Sequence, residues 1–313
     1  MEYSKLGNTG IKVSRLCFGA LVMGPLQAGL DPIEGAEVML EAFSRGVNFI
    51  DTAELYGTYP HIREALKKSK KDIVIATKCY AYTAEMARES LEKARREMDL
   101  DVIDMFLLHE QETELTLKGH MEAMEYFLNA REKGIIKAVG ASTHNVEVVN
   151  AICSMEYMDV VHPIINKAGL GIGDGTIEDM LSAVKRAYDS GKGIYGMKAL
   201  GGGNLLGSYK ECMKFVLDIP YIHSIAVGMR TKQEVEMNVQ VFEGGEIEED
   251  SENIQKGKSL HIDYWCDGCG NCAARCRQNA IKIDCGKAVP DMNKCVLCGY
   301  CASVCKNFAI KVV

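Results

Sequence analysis

No stretch of the chain approaches about eighteen consecutive apolar residues, so no transmembrane helix is expected. The opening stretch, MEYSKLGNTGIKVSRL, has no apolar signal core and reads as mature, cytoplasmic protein. Basic residues are not in excess: the formal net charge is −7, and a chain this acidic is a poor partner for nucleic acid. No G-x-G-x-x-G opens a helix after the first apolar run, which weakens an open, doubly wound sheet, and no obvious flavin motif is present. Cysteine is scarce over most of the length. Of thirteen, only Cys17, Cys79, Cys153 and Cys212 precede residue 266, in apolar or helical contexts that suit buried spectator thiols.

What remains is ordinary globular composition, 47% hydrophobic and 25% charged over 313 residues. From residue 13 to about 242, short apolar runs alternate with amphipathic stretches. The runs VSRLCFGAL, VNFIDTA, DIVIATK, VIDMFLLH, IKAVGAS, DVVHPIIN, GIYGMKAL and HSIAVGM read as buried strands. Between them, helical patterns stop at Gly46, Gly134, Gly191 and Gly244. Eight strand–helix units predict an α/β protein, a closed (β/α)8 TIM barrel over residues 1–242. The acidic, glycine-containing stretch 243–257 reads as a linker, and 258–313 as a second, small α+β unit.

That unit is an internal repeat. A shift of twenty-nine residues lays CDGCGNCAARC (266–276) on CVLCGYCASVC (295–305) and AIKID on AIKVV. Residues 256–313 hold nine Lys or Arg against four Asp, +5 before any metal is counted, which leaves −12 for the rest. Dense cysteine in a reducing compartment points to metal rather than disulfides. C-x2-C-x2-C-x3-C is an iron–sulfur spacing in which the fourth thiolate of each run turns to the other cluster. One [4Fe–4S] cluster then takes Cys266, Cys269, Cys272 and Cys305, and the other Cys295, Cys298, Cys301 and Cys276. Structural zinc would instead use separated cysteine pairs. Cys285 falls outside both runs and is expected to be a non-ligand. Over about fifty residues the unit resembles bacterial two-cluster ferredoxins, departing where Arg277 and Lys306 replace the proline usual after each fourth cysteine.

In such a barrel, chemistry gathers at the C-terminal ends of the strands. A polar residue after four or five buried ones emerges at that rim: Asp51 and Tyr56 in DTAELYG, Lys78 in IVIATK, His109 in MFLLH. These residue types suit carbonyl reduction. Hydride delivery leaves negative charge on oxygen, and a phenol can supply the proton if a nearby ammonium lowers its pKa of about 10. Asp51 can hold Lys78, and His109 can polarise the carbonyl.

These motifs, with LGNTGIKVSRLCFG and GMRTKQEVEMN, resemble the aldo-keto reductases over roughly residues 1–240. The resemblance implies a tetrad of Asp51, Tyr56, Lys78 and His109, with Tyr56 as general acid, and NADP(H) or NAD(H) across the barrel mouth. Contacts to that cofactor are expected from Ser142, Thr143, His162, Asn166, Met197, Arg230, Glu234 and Asn238. Thr143 stands where Asn is usual, His162 where Gln is usual and Met197 where an aromatic ring is usual. Glu234 replaces a residue that is often basic or neutral in the family, and an acid there would repel a 2′-phosphate.

Three readings follow. In the first, the barrel reduces a carbonyl with NAD(P)H and the cluster unit caps or docks. In the second, the clusters pass single electrons to a substrate at the mouth without nicotinamide. In the third, the protein is a non-catalytic electron-transfer or scaffold partner. The partners implied are a small-molecule carbonyl substrate and, for the clusters, a redox partner protein, with no nucleic acid and no membrane.

Overall fold

The computed structural model describes residues 1–245 and 257–313, so residues 246–256 of the expected linker lie outside the described residues. Eight parallel strands close a barrel: β3 (Leu16–Gly19), β4 (Phe49–Asp51), β5 (Val74–Cys79), β6 (Ile103–Gln111), β7 (Ile136–Thr143), β8 (Val160–Pro163), β9 (Gly193–Met197) and β10 (Ser224–Gly228), with β10 returning to pair with β3. The predicted first strand divides. Its front part joins a two-stranded hairpin, β1 (Tyr3–Lys5) with β2 (Lys12–Ser14), and only Leu16–Gly19 enters the barrel. Leu6 and Val13, from around this hairpin, are fully buried with Cys17, Phe49, Met105, Leu107 and Tyr195. They fill the barrel interior as side-chain layers do in closed sheets of this kind.

The helices form the outer ring, and their apolar faces supply the larger cluster between helix and sheet. Helix α1 (Pro32–Ser44) shows the local logic. Asp31 caps it by accepting from the Ile33 N–H at 2.9 Å, Pro32 opens the first turn, and Gly46, at φ 92°, reverses the chain after it. Gly134, Gly191 and Gly244 also adopt positive φ at helix ends. Among the described residues no helix is long and apolar enough to cross a membrane.

The cysteine-rich unit carries two antiparallel pairs, β11 (Leu260–Ile262) with β14 (Ile310–Val312) and β12 (Ile281–Asp284) with β13 (Lys287–Pro290). The repeat is written into its backbone. Left-handed residues fall at Gly268 and Leu297, Gly270 and Gly299, and Asn279 and Phe308, each pair twenty-nine residues apart. The unit rests on the barrel mouth. The Val312 N–H donates to Gly202 O at 2.9 Å, and Asn204 Nδ2 donates to Ile310 O at 2.8 Å. Gly203 permits this approach, because a Cβ there would lie 2.0 Å from Val312 O.

Candidate active site at the barrel mouth

Asp51, Tyr56, Lys78 and His109 meet at the C-terminal rim. Asp51 closes β4 and is buried. Lys78, near the end of β5, places Nζ 2.6 Å from Asp51 Oδ1 and donates to Thr52 O at 2.8 Å. Tyr195 on β9 donates to the same Asp51 oxygen at 3.0 Å. Burial alone would raise the Asp51 carboxyl. The charge of Lys78 and the hydrogen bonds from Lys78 and Tyr195 outweigh it and hold the group ionised.

Tyr56 comes from the short turn after β4, and its hydroxyl stands 3.4 Å from His109 Nε2. Lys78 Nζ lies 5.2 Å from the centre of the Tyr56 ring, beside its face rather than at its hydroxyl. The expectation that Lys78 lowers this phenol therefore gives way to a stronger effect. Burial, then the charges of Asp51 and Glu110, push the phenol well up, while the Lys78 ammonium is committed to Asp51. Tyr56 is thus held as a protonated phenol.

His109 is buried, and burial together with the Lys78 charge pulls it down to about 3. It is a neutral ring at ordinary pH. Its Nδ1 is buried without a partner, and an unpaired lone pair is tolerated better than an unpaired N–H. The favoured tautomer therefore carries its proton on Nε2, aimed at the Tyr56 hydroxyl and at whatever oxygen joins it. Tyr80 stacks on the His109 ring at 4.6 Å and donates to Glu110.

Tyr56 and His109 face a cavity of about 850 Å³ between the barrel rim and the cysteine-rich unit. Its far wall is Asp263, Tyr264, Trp265, Lys306, Asn307, Phe308 and Lys311. Trp265 directly precedes Cys266, and residues 306–308 directly follow Cys305. The cluster ligands are therefore separated from the cavity by their own immediate neighbours.

All thirteen cysteines are free. Burial raises the Cys272 thiol, and the charges of Cys305 and Cys266 add to that rise, which puts Cys305 of the second run within electrostatic reach of the first. Backbone N–H groups approach equivalent sulfurs, Ala280 to Cys276 and Ala309 to Cys305, each at 3.3 Å. Among the described residues no three His, Cys, Asp or Glu side chains are gathered to hold one metal ion. Thiols approached by backbone amide donors suit an iron–sulfur cube better than a single ion. Cys285 sits exposed in the β12–β13 turn, away from either run in sequence, and Cys153 is half-buried rather than buried.

The sequence pattern of the Aldo/keto reductase family matches residues 15–212, well over half of the chain. The chain belongs to the aldo/keto reductase family. A 4Fe-4S binding domain matches residues 288–311, which contain the second cysteine run. L-galactose dehydrogenase of Arabidopsis thaliana is 25% identical over 197 residues, covering 59% of this chain and 62% of that protein. The chain thus spans about three fifths of the length of that relative. An aldo-keto reductase of Bacillus halodurans in its holo form superimposes with a TM-score of 0.65 at 19% identity, covering 82% of this chain and 96% of the other. An aldo-keto reductase of Bombyx mori in complex with NADP superimposes at 0.60 and 15% identity, covering 81% and 91%. These two show the shared fold.

The residues expected to turn toward a dinucleotide divide into two groups. Met197, His162, Arg230 and Glu234 line one groove together with Gly19, Gly202, Gly203 and Gly228. Four others are committed elsewhere. Ser142 Oγ accepts from the Glu110 N–H at 2.8 Å, and Thr143 Oγ1 donates to Gln111 O at 2.6 Å. Asn166 ties both ends of its amide to Leu170, each at 2.9 Å, and Asn238 accepts from the Tyr209 hydroxyl at 2.8 Å. Glu234 is not a bare acid. Lys258 Nζ stands 2.7 Å from its Oε1 and the Arg230 N–H donates to its Oε2 at 2.7 Å, so its charge is matched locally.

Lys258, Lys311, Val312 and Val313 also line this groove, leaving a volume of about 160 Å³. That is below the roughly 300–1,000 Å³ of a pocket that buries a small-molecule ligand. As arranged, the groove does not fit a dinucleotide, because β14 lies along it. Sequence reasoning missed Tyr195, Glu110, Lys198, Lys258 and Lys311. The same rule that found Lys78, a polar residue after a buried run, would have found Glu110 after FLLH and Lys198 after GIYGM. Lys258 and Lys311 have no such local mark.

Proposed function

We propose that this protein reduces the carbonyl group of a small molecule bound in the cavity between the barrel mouth and the cysteine-rich unit. One observation carries the reading: the Tyr56 hydroxyl and His109 Nε2 stand 3.4 Å apart and face one cavity, above a buried Lys78–Asp51 pair. A carbonyl oxygen placed between the two donors accepts from both. His109 orients and polarises it without giving up a proton. As charge builds on the oxygen, Tyr56 transfers its proton to it, with the Lys78–Asp51 pair packed beside its ring. Asp51, held by Tyr195, keeps Lys78 in place.

Tyr56 borders both the substrate cavity and the groove along β9 and β10. That position suits a reaction with the reductant on one side and the carbonyl on the other. The family relationship supports a nicotinamide dinucleotide as hydride source, which requires β14 to leave the groove. A second reading takes its support from Trp265 and residues 306–308. They join the cluster ligands to the cavity wall, so [4Fe–4S] clusters bound by the eight cysteines would supply single electrons there.

Tyr56→Phe keeps the ring and removes the proton. Carbonyl reduction by anaerobically purified protein is expected to fall on the order of a hundredfold or more, with substrate affinity retained. Unchanged turnover would sink the assignment. Titration with NADH and NADPH separates the two reductants: binding of neither removes the hydride source, and rapid oxidation of reduced clusters by substrate alone supports the second.

A further inference from the structure

Two residues other than glycine adopt left-handed backbone at the rim and face the cavity: Glu110, at φ 48°, directly after His109, and Lys198, at φ 59°, directly after β9. A side chain in that region costs energy and persists where the surroundings impose it, so each marks a position held for a purpose. Glu110 has a partner in the cavity, the Tyr80 hydroxyl. Lys198 is different. Its ammonium meets His144 Nε2 at 2.8 Å, and burial and the charge of Lys198 keep that ring neutral. Among the described residues no carboxylate stands within 4.0 Å of Lys198, whereas Asp263 is matched by Lys311 at 3.2 Å and by His261 at 3.3 Å.

A second lysine stands close by, paired with Asp263. Lys311 Nζ lies 3.7 Å from the centre of the Phe308 ring and Lys198 Nζ 5.1 Å from it. The two ammonium groups thus flank one aromatic ring in the wall of the cavity. The hydrogen-bond partner of Lys198 is the neutral His144, while Glu110 and Asp263 act on it only from beyond hydrogen-bond reach, and burial with the Lys311 charge pulls it down to about 7. A half-buried ammonium so placed is stabilised by an anion that enters with a ligand. Leu21, Leu26, Leu55 and Trp265 supply apolar surface in the same cavity.

We propose that the cavity selects carbonyl compounds that also carry a carboxylate. Lys198 binds the carboxylate, an apolar or aromatic body spans the middle, and the carbonyl lies against Tyr56 and His109. The inference rests on the carbonyl-reduction reading for its reactive end, but its anion-binding end is separately measurable.

The test uses the full chain, purified anaerobically, with 4-carboxybenzaldehyde and its neutral isostere 4-carbamoylbenzaldehyde. Affinity is read from quenching of Trp265, the chain's single tryptophan and part of the cavity wall, and turnover from kcat/KM. The carboxylate is expected to be preferred on the order of ten- to a hundredfold, the range for a hydrogen bond to a charged group. Lys198→Met collapses that ratio toward one, and Lys198→Arg retains most of it. A wild-type ratio near one overturns the proposal, as does a ratio that survives Lys198→Met, or failure of both aldehydes to bind. If Lys198→Met does not fold, the wild-type ratio decides alone. Tight carboxylate binding that Lys198→Met abolishes, with neither aldehyde turned over, leaves this proposal standing and removes the carbonyl-reduction reading.

Discussion

The His162 ring lies flat on Tyr195, 3.8 Å between centres, with Nδ1 2.6 Å from the Tyr195 carbonyl. That contact places the proton on Nδ1 and turns the bare Nε2 toward Asp51 Oδ1 at 3.6 Å. Burial pulls the ring down to about 4 despite Asp51, so it stays neutral when folded. The unfolded chain, with an ordinary value of 6.5, takes up the proton first. Protonation therefore favours unfolding as pH falls through 6.5, and the loss levels off below about 4. His109, at about 3, acts in the same direction. His162→Gln removes one such proton. Its unfolding free energy should vary with pH by about 1 kcal/mol less than wild type between about pH 7.5 and 5.5. Denaturant titrations at the two pH values check this. Equal pH dependence in the two proteins would mean that His162 is not held neutral.

At the scale of strands and loops, sequence patterns of short range were the legible ones. Apolar runs ending in a polar residue marked β4, β5 and β6 and placed Asp51, Lys78 and His109 at one rim, because burial along a strand is a local pattern. The twenty-nine-residue repeat was equally plain, since each copy needs the same turns around its cysteines. Ser142, Thr143, Asn166 and Asn238 had the right chemistry for a cofactor, yet their polar groups are used by Glu110, Gln111, Leu170 and Tyr209. No local pattern reveals such commitments. The repeat also makes a prediction about which cysteines share a cluster. Cys269→Ala with Cys305→Ala removes two ligands of one cluster if the fourth cysteines cross over, and one ligand from each if they do not. The double variant should therefore keep about half the wild-type iron and sulfide. Loss of nearly all of it would show that each run serves its own cluster.

Over the whole molecule, the two units meet through contacts about a hundred residues apart in sequence, Gly202 with Val312 and Asn204 with Ile310. That separation is why the strand across the groove had no sequence signature. The consequence is competition. If a dinucleotide and β14 need the same groove, apparent affinity equals intrinsic affinity scaled by the fraction of molecules with the strand withdrawn. Asn204 is the lever, because its Nδ2 donates to both Gly201 O and Ile310 O. Asn204→Ala loosens the strand by about one hydrogen bond, worth about 1 kcal/mol, and should tighten NADPH binding about fivefold. The variant should also shift Trp265 emission in the absence of NADPH, because Trp265 reports on the seating of the unit against the barrel. An emission shift with NADPH affinity unchanged would mean that strand and dinucleotide do not compete.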